Sequence, residues 1–139
     1  GHIVYRFRTH NLAFVGDTLF SMGCGRLFEG TPRQMWTSLQ KIMAWPDHTL
    51  IHCAHEYTAG NADFALTIEP NNIELISRAS RVAELRALDL PTVPTSLKIE
   101  KLTNPFLRPN REEIRHSLNM TDATNAEVFA EIRKRKDVF

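Results

Sequence analysis

Strand-like and helix-like segments are divided unequally along this chain, and that division limits what it can fold into. Residues 1–57 alternate short apolar runs with a single helical segment, whereas helical patterns dominate from Thr58 onward. The first run is HIVYRF at 2–7, followed by a turn-like RTHN. LAFVGD at 12–17 stops at a glycine and an acid, and TLIHCA at 49–54 is another apolar run. Between them SMGCGRLFEG, residues 21–30, holds three of the six glycines and is expected to be a loop. A β-α-β piece of two or three strands cannot make a sheet covered on both faces. The chain also opens GHIVYRF, without Met, so sequence is expected to be missing upstream.

The helices are marked by their caps. In TPRQ at 31–34, Thr31 suits the cap, Pro32 the first helical position, and Gln34 completes a capping box. Met35, Leu39, Ile42 and Met43 then recur at helical spacing, and Pro46 with Asp47 ends the segment. Residues 58–68 and 72–88 are expected to be helices separated by Pro70. Leu75, Ile76, Ala79, Val82 and Ala83 should line the inner face of the second. Pro91, Pro94, Pro105 and Pro109 punctuate a connector over 91–109. A short helix over 110–118 and a last helix capped by Thr124 and Glu127 follow, the latter burying Val128, Phe129 and Ile132. The expected organisation is an α/β unit over 1–57 and a helical unit over 58–139.

With 17 basic and 16 acidic residues the net charge is +1, so no global field favours nucleic acid or an anionic membrane. No apolar run approaches the ~18 residues of a spanning helix, and no secretion signal is visible. Cys24 and Cys53 do not make a disulfide framework, and a reducing, cytoplasmic setting is the default.

Chemistry concentrates at the strand ends. Asp17 stands where an apolar run meets the glycine-rich loop; a carboxylate there needs a partner or a metal, or serves as a turn cap. Gly23-Cys24-Gly25-Arg26 lets backbone approach a ligand, with Arg26 as an anion donor. In HCAHEYT at 52–58, side chains three apart on a strand point to opposite faces, so His52 and His55 cannot both serve one ion there. His55, at the strand end beside Tyr57, is the better ligand candidate, and His52 a core or edge residue. Cys53 lies within an apolar strand and Cys24 is expected to be the more exposed thiol. In IRKRKDVF at 132–139, Arg133 and Lys136 share a helix face and can grip a carboxylate together; a solvated helix end is the plainer alternative.

Taken jointly, GDTLFSMGCGRLFEGT at 16–31, AHEYT at 54–58, LTNPFLR at 102–108 and the terminal RKRKDVF resemble the C-terminal part of glyoxalase II, the hydroxyacylglutathione hydrolases of the metallo-β-lactamase fold. The resemblance implies the C-terminal half of an αββα sandwich followed by an all-α substrate-binding domain. It also implies a binuclear metal centre, zinc first with iron or manganese as alternatives, in which Asp17 bridges the ions and His55 ligates one. Arg26, Tyr57, Arg133 and Lys136 are then implied to hold glutathione. Phe28 stands where many members carry a tyrosine, so that hydroxyl contact is lost.

The implied reaction is hydrolysis of S-(2-hydroxyacyl)glutathione, such as S-D-lactoylglutathione, by a metal-bridging hydroxide. The family's THxHxDH cluster is absent from these residues, and an HTSGH-like segment survives only as Gly1-His2, with His2 at a non-ligand position. The metal centre is therefore expected to be incomplete in this chain and to need an N-terminal half. The alternatives are a non-catalytic glutathione-conjugate-binding fragment, and a half that works with a separate N-terminal partner, which an exposed apolar edge at 2–7 would mark.

Overall fold

The computed structural model describes residues 2–139; Gly1, assigned above to the truncated ligand segment, lies outside the described residues. Four strands form one sheet in the order β1 (Tyr5–Phe7), β2 (Leu12–Gly16), β3 (Leu50–Cys53) and β4 (Thr95–Ser96). The outer pairs are antiparallel and the central β2–β3 pair is parallel. Helix α1 (Pro32–Met43) makes the crossover between the parallel strands, which a two-residue turn cannot bridge. Helices α2 (Thr58–Ile68), α3 (Ile73–Ala87), α4 (Leu97–Thr103), α5 (Glu112–Ser117) and α6 (Asn125–Asp137) follow, giving a mixed α/β chain.

Both capping boxes form. Gln34 N donates to Thr31 Oγ1 at 3.2 Å while Gln34 Oε1 accepts from Thr31 N at 2.8 Å. Glu127 N likewise donates to Thr124 Oγ1, and Glu127 accepts from Thr124 N at 2.7 Å. Each cap contributes about 1 kcal/mol by occupying amides that a helix start leaves without partners.

Three expectations shift. The strand expected over 2–7 is confined to Tyr5–Phe7, because β2 offers register only from Leu12 to Phe14. The region after Thr58 is not wholly helical, since the proline-marked connector supplies β4, paired with Leu50 and Ile51. Pro94 sits just before that edge strand, where a missing N–H costs no ladder bond. On α3, Ile76 and Ala83 are exposed; the inward face runs through Leu75, Arg78, Ala79 and Val82, spaced three, four and seven apart.

Alternation along the sheet sends Ala13, Val15 and Ile51 inward against the helices. They join Leu39 of α1, Phe64 of α2, Phe106, and Val128, Phe129 and Ile132 of α6 in one buried cluster, which draws on both sides of residue 57. Trp36 and Phe106 both pack on Phe129, with ring centres 6.1 and 5.9 Å away. Tyr5, Phe7, Phe14 and Leu50 remain exposed. A second cluster lies between α2 and α3, where Met22 from the glycine-rich loop inserts among Ala62, Ala65, Leu75 and Val82.

Candidate functional site

Because β2 and β3 are adjacent and parallel, their C-terminal ends lie side by side, the position where open α/β sheets commonly bind ligands. Gly16 ends β2 at φ +52°, and Asp17 follows it. His55 comes two residues after the end of β3. Asp17 Oδ1 and His55 Nε2 stand 3.5 Å apart, both side chains being partly exposed. Asp17 Oδ1 is itself buried and has no hydrogen-bond partner.

This pair fits a metal ion. Two donors bound tetrahedrally at zinc-like distances are about 3.3–3.6 Å apart, and an orphaned carboxylate oxygen aimed at an imidazole nitrogen has a lone pair available for such a bond. Among the described residues no group of three or more His, Cys, Asp or Glu is arranged to hold an ion.

Residues 20–26 wrap over the pair. Phe20 and Gly23 exchange backbone hydrogen bonds of 3.0 and 3.1 Å, closing a turn. Gly25 then passes so near the strand end that a Cβ there would sit 2.1 Å from the Asp17 carbonyl oxygen. Only glycine permits that approach. Arg26 emerges exposed, its Nε 3.9 Å from Asp137.

Helix α6 forms the opposite wall. The Arg133 guanidinium is nearly buried: Nη1 donates to the Cys24 carbonyl at 2.8 Å, and Nε and Nη2 reach Asp137 at 3.0 and 2.9 Å. Its charge also lies over the Phe106 ring. Lys136 Nζ donates to the Gly60 carbonyl at 3.1 Å and lies over the rings of Phe64 and Phe139. Burial, followed by the neighbouring Arg133 and Arg26 cations, lowers the Lys136 pKa, with Asp63 opposing.

The cavity enclosed by these elements is about 660 Å³, within the usual range for small-molecule sites. Asp17, Arg26, Phe28, His55, Tyr57, Arg133 and Lys136 all line it. Phe28 is 85% exposed and presents a bare ring. Tyr57 stacks on His55 at 4.9 Å. His52 lies outside the cavity, 5.0 Å from Phe14 on the exposed side of the sheet.

The cysteines reverse their expected exposure. Cys24 is 4% exposed because Arg133 and α6 close over its loop, and Cys53 is only partly buried. Burial pushes the Cys24 thiol up to about 12 despite the opposing Arg133 charge. Burial also raises the Cys53 thiol.

Asp137, Phe20, Glu100 and Asn104 escape a reading of the sequence alone. Glu100 and Asn104 fall three and seven residues after the buried Leu97, at helical core spacing, which is the signal that finds them.

Residues 56–139 match the family model described as "Hydroxyacylglutathione hydrolase C-terminus". Over all 139 residues the chain is 55% identical to a hydroxyacylglutathione hydrolase of Maricaulis maris, 57% to one of Bartonella tribocorum and 55% to one of Cereibacter sphaeroides. It spans 54, 55 and 54% of their lengths, about half of each relative. These relatives are named as hydrolases of a glutathione conjugate. The chain belongs to the hydroxyacylglutathione hydrolase family.

Proposed function

We propose that this chain carries the glutathione-binding wall and part of the metal site of a glyoxalase II-type thioesterase. The substrates are S-(2-hydroxyacyl)glutathiones, S-D-lactoylglutathione among them, and the products are the 2-hydroxy acid and glutathione. The observation that carries this is the convergence of Asp17, His55, Tyr57, Arg26, Arg133 and Lys136 on one cavity.

Asp17 and His55 are the residues that would hold the metal, zinc or alternatively iron or manganese. A centre bound there supplies a Lewis acid and water of lowered pKa. The chain's own residues handle the glutathione. Its two carboxylates call for cations, and Arg26 and Lys136 supply them from opposite walls. Tyr57, Phe28 and Phe139 line the same cavity; the Tyr57 hydroxyl would hydrogen-bond the peptide and the two phenylalanines give apolar surface. Arg133, paired with Asp137, forms the back of this wall and ties α6 to the Cys24 carbonyl.

The remaining ligands are assigned to an N-terminal half, in keeping with relatives about twice as long as this match. That half completes an αββα sandwich by covering Tyr5, Phe7, Phe14 and Leu50, the apolar residues left exposed on the sheet. Residues 58–139 act as the substrate-binding domain. A cytoplasmic setting is in keeping with the two free cysteines. Among the described residues no helix is long and apolar enough to cross a membrane.

The test is hydrolysis of S-D-lactoylglutathione by the zinc-loaded chain, with and without the N-terminal half of the Maricaulis maris relative. Turnover only on mixing is expected. Turnover by the chain alone would contradict the partial metal site. Glutathione binding with no turnover in either case would favour a non-catalytic binding fragment.

A further inference from the structure

The ring of Phe20, whose backbone closes the turn with Gly23, packs against both His55 and Tyr57. It is 6% exposed. Its ring meets Tyr57 edge-on at 5.3 Å and 72°, and lies 6.0 Å from His55. Tyr57 and His55 in turn stack within 16° of parallel. Both belong to the link between β3 and α2, where Tyr57 caps α2, its carbonyl accepting from Asn61 N at 3.0 Å, and the His55 carbonyl accepts from Cys53 Sγ at 3.4 Å. Their side chains are directed by the Asp17 contact of His55 and by ring packing, of which Phe20 is the base.

The base is itself held from several sides. Asn104 Nδ2 donates to the Phe20 and Gly23 carbonyls at 3.2 and 3.0 Å, and to Glu100 Oε2 at 2.9 Å. The same Glu100 oxygen accepts from Met22 N at 2.9 Å. Glu100 is fully buried, and its charge is balanced by Arg78, which also reaches the Ser21 hydroxyl at 2.8 Å. Met22, between Phe20 and Gly23, adopts φ 55°, a left-handed conformation that these bonds and its insertion between α2 and α3 maintain. Asn61 of α2 donates to the Ser21 carbonyl at 3.0 Å.

We propose that Phe20 is a positioning residue for His55 and Tyr57, fixed in place by the buried Glu100–Asn104 clamp. The clamp thereby links the helical region to the strand-end site. This inference rests on the proposed glutathione and metal site, and it concerns how that site is oriented.

Phe20→Leu removes the ring but keeps the backbone turn, and Phe20→Tyr keeps the ring. In the 139-residue chain, NMR contacts between the His55 and Tyr57 rings report their stacking, and titration with reduced glutathione reports binding. Phe20→Leu is expected to shift the ring resonances of both residues, weaken their mutual contacts, and lower glutathione affinity about five- to ten-fold, the size of one aromatic pair. Phe20→Tyr should restore both. Phe20→Met serves the same purpose if Phe20→Leu fails to fold.

A variant that melts earlier but retains the ring contacts and the affinity, measured where it is folded, would overturn the proposal and leave Phe20 a packing residue. If the unaltered chain shows no saturable glutathione binding, the proposed function fails. The His55–Tyr57 contacts in Phe20→Leu then still decide the positioning role.

Discussion

Asp17 and His55 reach each other from the ends of two adjacent parallel strands, with 3.5 Å between Oδ1 and Nε2. The sheet brings them together: β2 and β3 each end on the same side, one residue and two residues before the chemistry-bearing side chain. Asp17→Asn or His55→Gln should therefore remove a proposed metal ligand without disturbing the core. Hydrolysis reconstituted with the N-terminal half is expected to fall by more than the roughly 10–100-fold that outer partners of metal ligands cost. The thermal midpoint of the chain should barely move, since both side chains are partly exposed.

Gly25 tests the closeness of the loop to the strand end. With a Cβ 2.1 Å from the Asp17 carbonyl oxygen, Gly25→Ala forces backbone apart. Urea denaturation should show a loss of about 1–3 kcal/mol, the usual cost of overpacking. Reconstituted turnover should drop with it, because the displaced backbone carries the Asp17 side chain.

Arg78 and Glu100 form a buried ion pair that also holds Thr95, Thr103, Asn104 and Met22. Arg78→Met or Glu100→Met alone strands a charge in the interior and should cost about 3–5 kcal/mol. The double variant should cost clearly less than the sum, since it leaves no lone charge. A double-mutant cycle in urea measures this.

Cys24 gives the chain an alkaline stability signature. Its folded pKa of about 12 stands above the unfolded thiol's value near 9. Below pH 9 the thiol keeps its proton in both states, so its full contribution is present. Between pH 9 and about 12 the unfolded chain releases a proton that the folded chain retains, and stability falls by about 1.4 kcal/mol per pH unit. Cys24→Ala should lose this slope in denaturation curves taken across that range. A thiol reagent at pH 8 should label Cys53 before Cys24.

Much of this was legible in the sequence wherever local chemistry decides structure. TPRQ and TNAE announced their capping boxes, and the apolar runs at 12–17 and 49–54 announced the strand pair β2 and β3. Asp17 and His55 stand out as candidates because each is polar at the end of an apolar run, and the structure brings them within 3.5 Å. The rest depends on contacts far apart in the chain. The clamp joins Met22 to Glu100 and Phe20 to Asn104, separations of 78 and 84 residues that no local pattern displays. Strand β4 is two residues long, too short for alternation to show, and proline disguises it. Arg133 reads as an exposed helix-end cation until α6 packs against the loop and Asp137 and the Cys24 carbonyl take its nitrogens.

Residue-resolved NMR titration of the 139-residue chain with reduced glutathione tests most directly whether the cavity between the glycine-rich loop and α6 receives glutathione, as proposed. The predicted result is saturable shifts at Arg26, Tyr57, Gly60 and Lys136, weakened about ten-fold by either Arg26→Gln or Lys136→Met and diminished by added salt. Shifts gathered instead on the exposed sheet residues Tyr5, Phe14 and Leu50, or binding indifferent to both cations, would contradict it.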